Sequence, residues 1–148
     1  MGTSRLTRRL LTANVVAVLF ALLVVSVASA NANHQAIGRG TTTQFICANG
    51  VPNVATIQFS ATKNKGVLTG SYQITGSSVS KGGSLNDGTI TENSYSLTGV
   101  VNFDFCGTTF NQVVGTATLS GQCGTSVVIH YSDTLGQFGD FIGNVACS

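Results

Sequence analysis

Apolar and polar side chains alternate along several stretches of this chain, and that spacing restricts the fold it can adopt. Residues 55–61 show it most clearly, because their odd-numbered positions are apolar and their even-numbered positions are Thr, Gln and Ser. Successive side chains of a β-strand point to opposite faces, so this period of two predicts strands with one buried and one wet face. The predicted inward residues of four stretches are Ala55, Ile57, Phe59 and Ala61; Leu68, Tyr72 and Ile74; Tyr95, Leu97, Val101, Phe103 and Phe105; and Val127, Ile129 and Tyr131.

Turn residues separate these stretches and set the number of strands. Asn49-Gly50, Asp87-Gly88 and Cys123-Gly124 supply residues that tolerate a positive φ, while helical periodicity is absent. The predicted strands are 41–48, 53–62, 66–75, 84–91, 94–105, 110–120, 125–132 and 138–147. We therefore predict an all-β domain, a single antiparallel β-barrel or β-sandwich of about eight short strands in a meander.

The first 32 residues have the composition of a secretory signal peptide. Arg5, Arg8 and Arg9 precede a long apolar run, and small residues follow it, so that cleavage is expected after Ala30 or Ala32. A retained membrane anchor is the alternative, because the uncharged stretch is nearly long enough to span a bilayer. The expected organisation is a signal helix over 1–32, a flexible lead-in over 33–40 and a disulfide-braced domain over 41–148.

Removal of this signal reverses the sign of the net charge. The chain carries seven basic and five acidic residues, and three of the basic ones lie in the signal. The four remaining cations and five acids give a mature net charge of −1. Nucleic acids and anionic lipids are bound by basic patches, so we expect no nucleic-acid partner, and membrane contact only through an uncleaved signal.

Cys47, Cys106, Cys123 and Cys147 all lie in the mature part of the chain. An even number of cysteines in a short exported chain indicates disulfides, and the chain has no C-x-x-C pair that would favour zinc. Four cysteines allow three pairings. If the strands simply alternate in direction, the pairs 47–106 and 123–147 lie at opposite ends of the domain, and we expect those two bridges.

Catalytic side chains are scarce in the mature sequence. His130 is the one histidine within a predicted strand, with Asp133 three residues later, but no serine lies in a G-x-S-x-G elbow. Asp133 and Asp140 flank one loop and could form a glycosidase pair, although loop acids more often stabilise turns. The polar segment 78–84 has the composition of a flexible loop at one rim. We expect no cofactor, no metal and no enzymatic activity.

The segment GVLTGSY, residues 66–72, resembles a strand of avidin-type biotin-binding barrels. This resemblance implies a barrel-like strand. Tryptophans line the biotin pocket of that family and the present chain contains none, so the resemblance implies no biotin site.

Three functions remain as expectations. The first is a secreted or cell-surface module that is structural or adhesive and binds a cell-envelope polymer or another protein. The second is a carrier of a small apolar ligand, with a barrel cavity lined by Tyr72, Tyr95, Phe103, Phe105 and Tyr131. The third is a secreted hydrolase that uses His130 with Asp133.

Overall fold

A computed structural model describes residues 33–107, 109–111 and 115–148 of the chain, with the backbone path alone for 109–111. The predicted signal peptide and its cleavage sites lie outside these residues. The described part consists of ten strands: β1 (His34–Ile46), β2 (Pro52–Asn64), β3 (Val67–Gly76), β4 (Val79–Ile90), β5 (Ser94–Val101), β6 (Phe103–Cys106), β7 (Thr109–Asn111), β8 (Gly115–Gln122), β9 (Gly124–Asp133) and β10 (Phe138–Cys147). No helix long and apolar enough to cross a membrane occurs in this part of the chain.

Eight of the strands close into an antiparallel barrel, which decides between the two predicted architectures. The order around the barrel is β1, β2, β3, β4, β5, β8, β9 and β10, and β10 pairs with β1. β6 continues β5 along the edge of β4, and β7 is an additional short strand paired with β6. Closure leaves none of the eight barrel strands as a free edge.

The barrel interior holds one continuous hydrophobic core. The inward residues predicted on β2 and β3 are buried, as are Tyr95, Leu97, Ile129 and Tyr131. Complete burial of a large apolar side chain contributes roughly 1.5–3 kcal/mol, so these positions stabilise the closed sheet. The alternation in the sequence therefore predicted most of the core.

The expected inward positions of Phe103 and Phe105 are wrong, because the alternation changes phase at Asn102. Leu85 pairs with Gly99 and Gly82 pairs with Phe103. The two residues on β4 are three positions apart, whereas their two partners on the opposite strand are four positions apart. This extra residue is a β-bulge, and beyond it each side chain faces the other way. Asp104 and Cys106 are consequently buried, while both phenylalanines are partly exposed.

Two segments expected to be irregular are strands. Residues 33–40 were predicted to form a lead-in, but β1 begins at His34 and pairs with β2 and β10. Its inward positions include Gly38 and Gly40, which have no side chains, and this hides the alternation. The predicted rim loop over 78–84 is instead mostly the start of β4, with Val79 and Lys81 facing inward.

Gly38 gives the Phe59 ring the space that it occupies in the core. A β-carbon placed on Gly38 would overlap Cε1 and Cζ of that ring. We expect Gly38→Ala to lower the free energy of unfolding by about 1–3 kcal/mol, the usual cost of an overpacked core. Urea unfolding measures this free energy, and a double variant that combines Gly38→Ala with Phe59→Leu should recover part of the loss. Additive losses for the two substitutions would contradict this explanation.

Candidate functional site

Two disulfides brace the described domain. Cys47 is bonded to Cys106 and Cys123 to Cys147, with Cα–Cα distances of 5.7 and 5.8 Å. These are the pairs that the alternation of strand direction favoured. Both distances lie within the usual range for a disulfide. Disulfides of this kind are typical of oxidising, extracellular environments.

A lysine lies fully buried inside the barrel, which composition alone would not predict. Lys81 on β4 is 0% exposed, and its Nζ contacts the carboxylates of Asp104 and Asp133. Asp104 is the cross-strand neighbour of Lys81 on β6, and Asp133 ends β9. The rings of Phe45 and Tyr131 lie 5.9 and 5.4 Å from Nζ. Burial of charges without partners is costly, and here each charge has an opposite charge beside it.

Gln137 and the turn after β9 complete this group, which we call the Lys81 cluster: Lys81, Asp104, Tyr131, Asp133 and Gln137. Lys81 Nζ donates to Gln137 Oε1 at 2.8 Å, and Gln137 Nε2 donates to Asp104 Oδ2 at 2.7 Å. The Tyr131 hydroxyl donates to Asp133 Oδ2 at 2.8 Å. The backbone N–H of Leu135 and that of Gln137 donate to Asp133 Oδ1 at 3.0 and 3.1 Å. Asp133 therefore accepts hydrogen bonds at both oxygens.

The tyrosines near the cluster are held neutral. Burial raises the pKa of Tyr72 to about 12, and it raises the pKa of Tyr131 further. Desolvation disfavours the charged phenolate, and the negative charge of Asp133 adds to this effect. Tyr131 thus remains a hydrogen-bond donor toward Asp133 over the physiological pH range.

The outer face of the barrel carries a groove of about 950 Å³. It follows two neighbouring rows of residues that are paired from strand to strand, across β10, β1, β2, β3 and β4. The first row is Ala146, Ile37, Ser60, Ser71 and Ser84. The second row is Asn144, Arg39, Gln58, Gln73, Gly82 and Phe103. We call this surface the exterior groove.

Small residues keep the floor of the exterior groove low, and larger ones stand at its ends. Three serines lie side by side on β2, β3 and β4. At one end the Phe103 ring lies over Gly82, where a β-carbon would come within 3.1 Å of Phe103 Cζ. Near the other end Ile37 is 48% exposed and is paired with Ala146, and Arg39 is paired with Asn144. The lining therefore offers amide and hydroxyl groups between apolar surfaces.

The five residues proposed as cavity lining do not share one surface. Tyr72, Tyr95 and Tyr131 are buried, and they contact other aromatic rings at centroid distances of 5.0–5.8 Å. Phe103 and Tyr72 both line the exterior groove, whereas Tyr95 and Tyr131 are not among its lining residues. Phe105 is partly exposed beyond the bulge.

His130 and Asp133 are not brought together. His130 lies on the outer face of β9, and its Nδ1 is 2.7 Å from Oδ1 of Asp140, the paired residue on β10. The two side chains are 56% and 68% exposed, so this is a surface pair. Asp133 points inward to Lys81, and the suggested pairing of Asp133 with Asp140 is likewise not formed.

The comparisons with known proteins add no relative. No family model, no curated protein and no solved structure matches this chain. The sequence analysis did not predict the Lys81 cluster, although the alternation of side chains could have indicated it. Lys81 lies an even number of residues from the core residues Val79 and Leu85, so its side chain points to the same face of β4. Asp133 likewise continues the inward series Ile129 and Tyr131.

Proposed function

We propose that this protein is an exported, non-enzymatic binding module that holds a neutral polysaccharide in the exterior groove. The observation that carries the proposal is the pair of cross-strand rows, which presents amides and hydroxyls along an open track bounded by Ile37 and Phe103. A pyranose chain has hydroxyls at its rim and C–H groups on its faces. Such a ligand matches a lining of both polar and apolar groups.

The charges of the domain favour a neutral polymer over an anionic one. Among the residues that the structure describes, Arg39 is the one cation that lines the exterior groove. Lys81 is buried with two carboxylates, and Lys63 Nζ donates to the Gly88 carbonyl at 2.7 Å. A polyanion is bound by many cations in a row, and the groove supplies a single one.

Two independent features of the chain support the proposed compartment. The predicted signal peptide would direct export, and the two disulfides are typical of an oxidising environment. A protein outside the cell meets the polysaccharides of cell envelopes and of extracellular material. This setting supports the secreted or cell-surface location that we propose.

The barrel interior gives less support to the carrier alternative. Its three tyrosines pack against other rings, and Lys81, Asp104 and Gln137 occupy the region beside Tyr131. A carrier for an apolar ligand offers an apolar cavity. The outer surface is therefore the better candidate for binding.

Titration calorimetry with cellohexaose, chitohexaose and maltohexaose tests the proposal. We expect one of these neutral oligosaccharides to bind, and Phe103→Ala to weaken that binding about tenfold, the effect of losing about 1.4 kcal/mol of apolar contact. Phe138→Ala is the matched control, because Phe138 is 53% exposed on β10 and lies outside the exterior groove. No binding by any of the three probes, or equal loss in the two variants, would refute the proposal.

A further inference from the structure

The Lys81 cluster places an amine, a carboxyl carbon and a second carboxylate together in a dry interior. We propose that Lys81 and Asp133 become joined by an intramolecular amide bond, with Asp104 carrying the protons. This inference does not depend on the proposed function. The bond would link the start of β4 to the end of β9.

The reacting groups are in contact and have little freedom to move apart. Lys81 Nζ contacts Asp133 Oδ2, and the two side chains are both 0% exposed. Two groups held in contact react as though at very high concentration, because the entropy of bringing them together has already been lost in folding. The surrounding rings of Phe45 and Tyr131 exclude the water that would favour hydrolysis.

Asp133 is held as the acyl donor of such a reaction would be. Its Oδ1 faces the backbone N–H groups of Leu135 and Gln137, at 3.0 and 3.1 Å. Two N–H donors on one oxygen stabilise the negative charge that develops there when a nucleophile adds to the carboxyl carbon. The other oxygen, Oδ2, accepts from the Tyr131 hydroxyl, and this donor assists its departure.

Asp104 is placed to take protons from Lys81, which is the first step in moving them to Asp133 Oδ2. Asp104 Oδ1 lies 3.3 Å from Lys81 Nζ and has no hydrogen-bond partner within the described part of the chain. Its Oδ2 is held by Gln137 Nε2, and Gln137 Oε1 accepts from Nζ, so Gln137 positions both groups. A carboxylate that contacts the ammonium can accept its proton, which is the role of a general base.

The reaction balances without any other reactant. The Lys81 ammonium gives one proton to Asp104, which passes it to Asp133 Oδ2, and the free amine then adds to the Asp133 carboxyl carbon. The nitrogen loses a second proton to Asp104, which delivers it to the same oxygen. The C–Oδ2 bond breaks and water leaves. One ammonium and one carboxylate become an amide, and Asp104 ends as it began.

Mass spectrometry of the exported protein, after reduction and alkylation, tests this directly. Digestion is expected to yield a branched peptide that contains Lys81 and Asp133, lighter by one water than its two parts. Asp133→Asn provides a sharper mass measurement, because an asparagine at this position would lose ammonia and form the same amide. Wild type and D133N should therefore have identical intact masses, which does not depend on where the signal is cleaved.

Three variants serve as controls, with circular dichroism to verify their folding. Lys81→Arg lacks the amine and Asp133→Ala lacks the carboxyl group, so both variants should keep the full mass of their sequences. Asp104→Asn retains a hydrogen-bonding group but cannot move protons, and we expect it to keep its full mass as well. Wild-type and D133N masses that differ as their sequences do would overturn the proposal. A branched peptide joining Lys81 to Asp104 would overturn the assignment of Asp133 as the residue that is joined to Lys81.

Discussion

Lys81→Met should lower the free energy of unfolding by about 3–5 kcal/mol, the usual cost of removing one partner from a buried ion pair. Methionine fills similar space, but it leaves the carboxylates of Asp104 and Asp133 together inside the barrel, with neither the Lys81 ammonium nor the proposed amide bond to neutralise Asp133. Their side chains are 2% and 0% exposed, so water cannot solvate the two carboxylates. Urea unfolding followed by circular dichroism measures the change, provided that the slope with denaturant is unchanged.

Lys65→Met is the matched control for this experiment. Lys65 lies exposed in the turn between β2 and β3, and its replacement should change stability by less than about 0.5 kcal/mol. A triple variant, Lys81→Met with Asp104→Asn and Asp133→Asn, removes every charge of the cluster. It should recover much of the loss, because it leaves no uncompensated charge in the core. A triple variant less stable than Lys81→Met would show that the charges themselves stabilise the fold.

Much of the barrel could be predicted from local pattern alone. Phe59, Tyr72, Leu97 and Ile129 lie at positions of strict alternation, and all four are buried. Side-chain parity is a local property of an extended backbone, so it is visible in one strand without knowledge of its neighbours. The same reasoning gave the direction of successive strands and so the favoured cysteine pairs.

Features that depend on pairing between strands could not be predicted in this way. The bulge at Asn102 reverses the side chains of Phe103 and Asp104, and it lies where β4 changes partner from β5 to β6. Nothing in the residues themselves marks that change. Because Phe103 and Phe105 were predicted to face inward, Asp104 was predicted to face solvent. A buried carboxylate partner for Lys81 was therefore not predicted.

The exterior groove is also invisible in the sequence. Ser60, Ser71 and Ser84 are far apart along the chain, and each alone is an ordinary polar residue on a wet face. Only the register of β2, β3 and β4 places them side by side. A surface that is built from one residue per strand requires the register of every strand, and composition cannot supply it.

Removal of the Cys47–Cys106 bridge, by Cys47→Ala with Cys106→Ala, should destabilise the domain by about 4 kcal/mol, since a bridge restricts the unfolded chain more when its loop is longer. The sequence separation is 59 residues for this bridge and 24 for Cys123–Cys147. The same relation predicts about 3.5 kcal/mol for Cys123→Ala with Cys147→Ala, which is the matched control. Cys47 and Cys106 are also buried, so their replacement loses packing as well. Urea unfolding of both double variants measures the two losses of stability. A larger loss for Cys123→Ala with Cys147→Ala would contradict the prediction.

The longer bridge should also be coupled to the Lys81 cluster, which gives this prediction a second readout. Cys106 ends β6, two residues after Asp104, and within the described residues β6 pairs only with β4 and the short β7. Without the bridge, β6 is held less firmly, and water gains access to the Asp104 carboxylate. Lys81→Met should then cost less in the variant that lacks Cys47–Cys106 than in the wild type, while losing Cys123–Cys147 should leave that cost unchanged. A double-mutant cycle measures this coupling, since distant and independent sites give additive losses. Additivity in both backgrounds would show that the bridge acts on the unfolded chain alone and does not hold the buried charges in place.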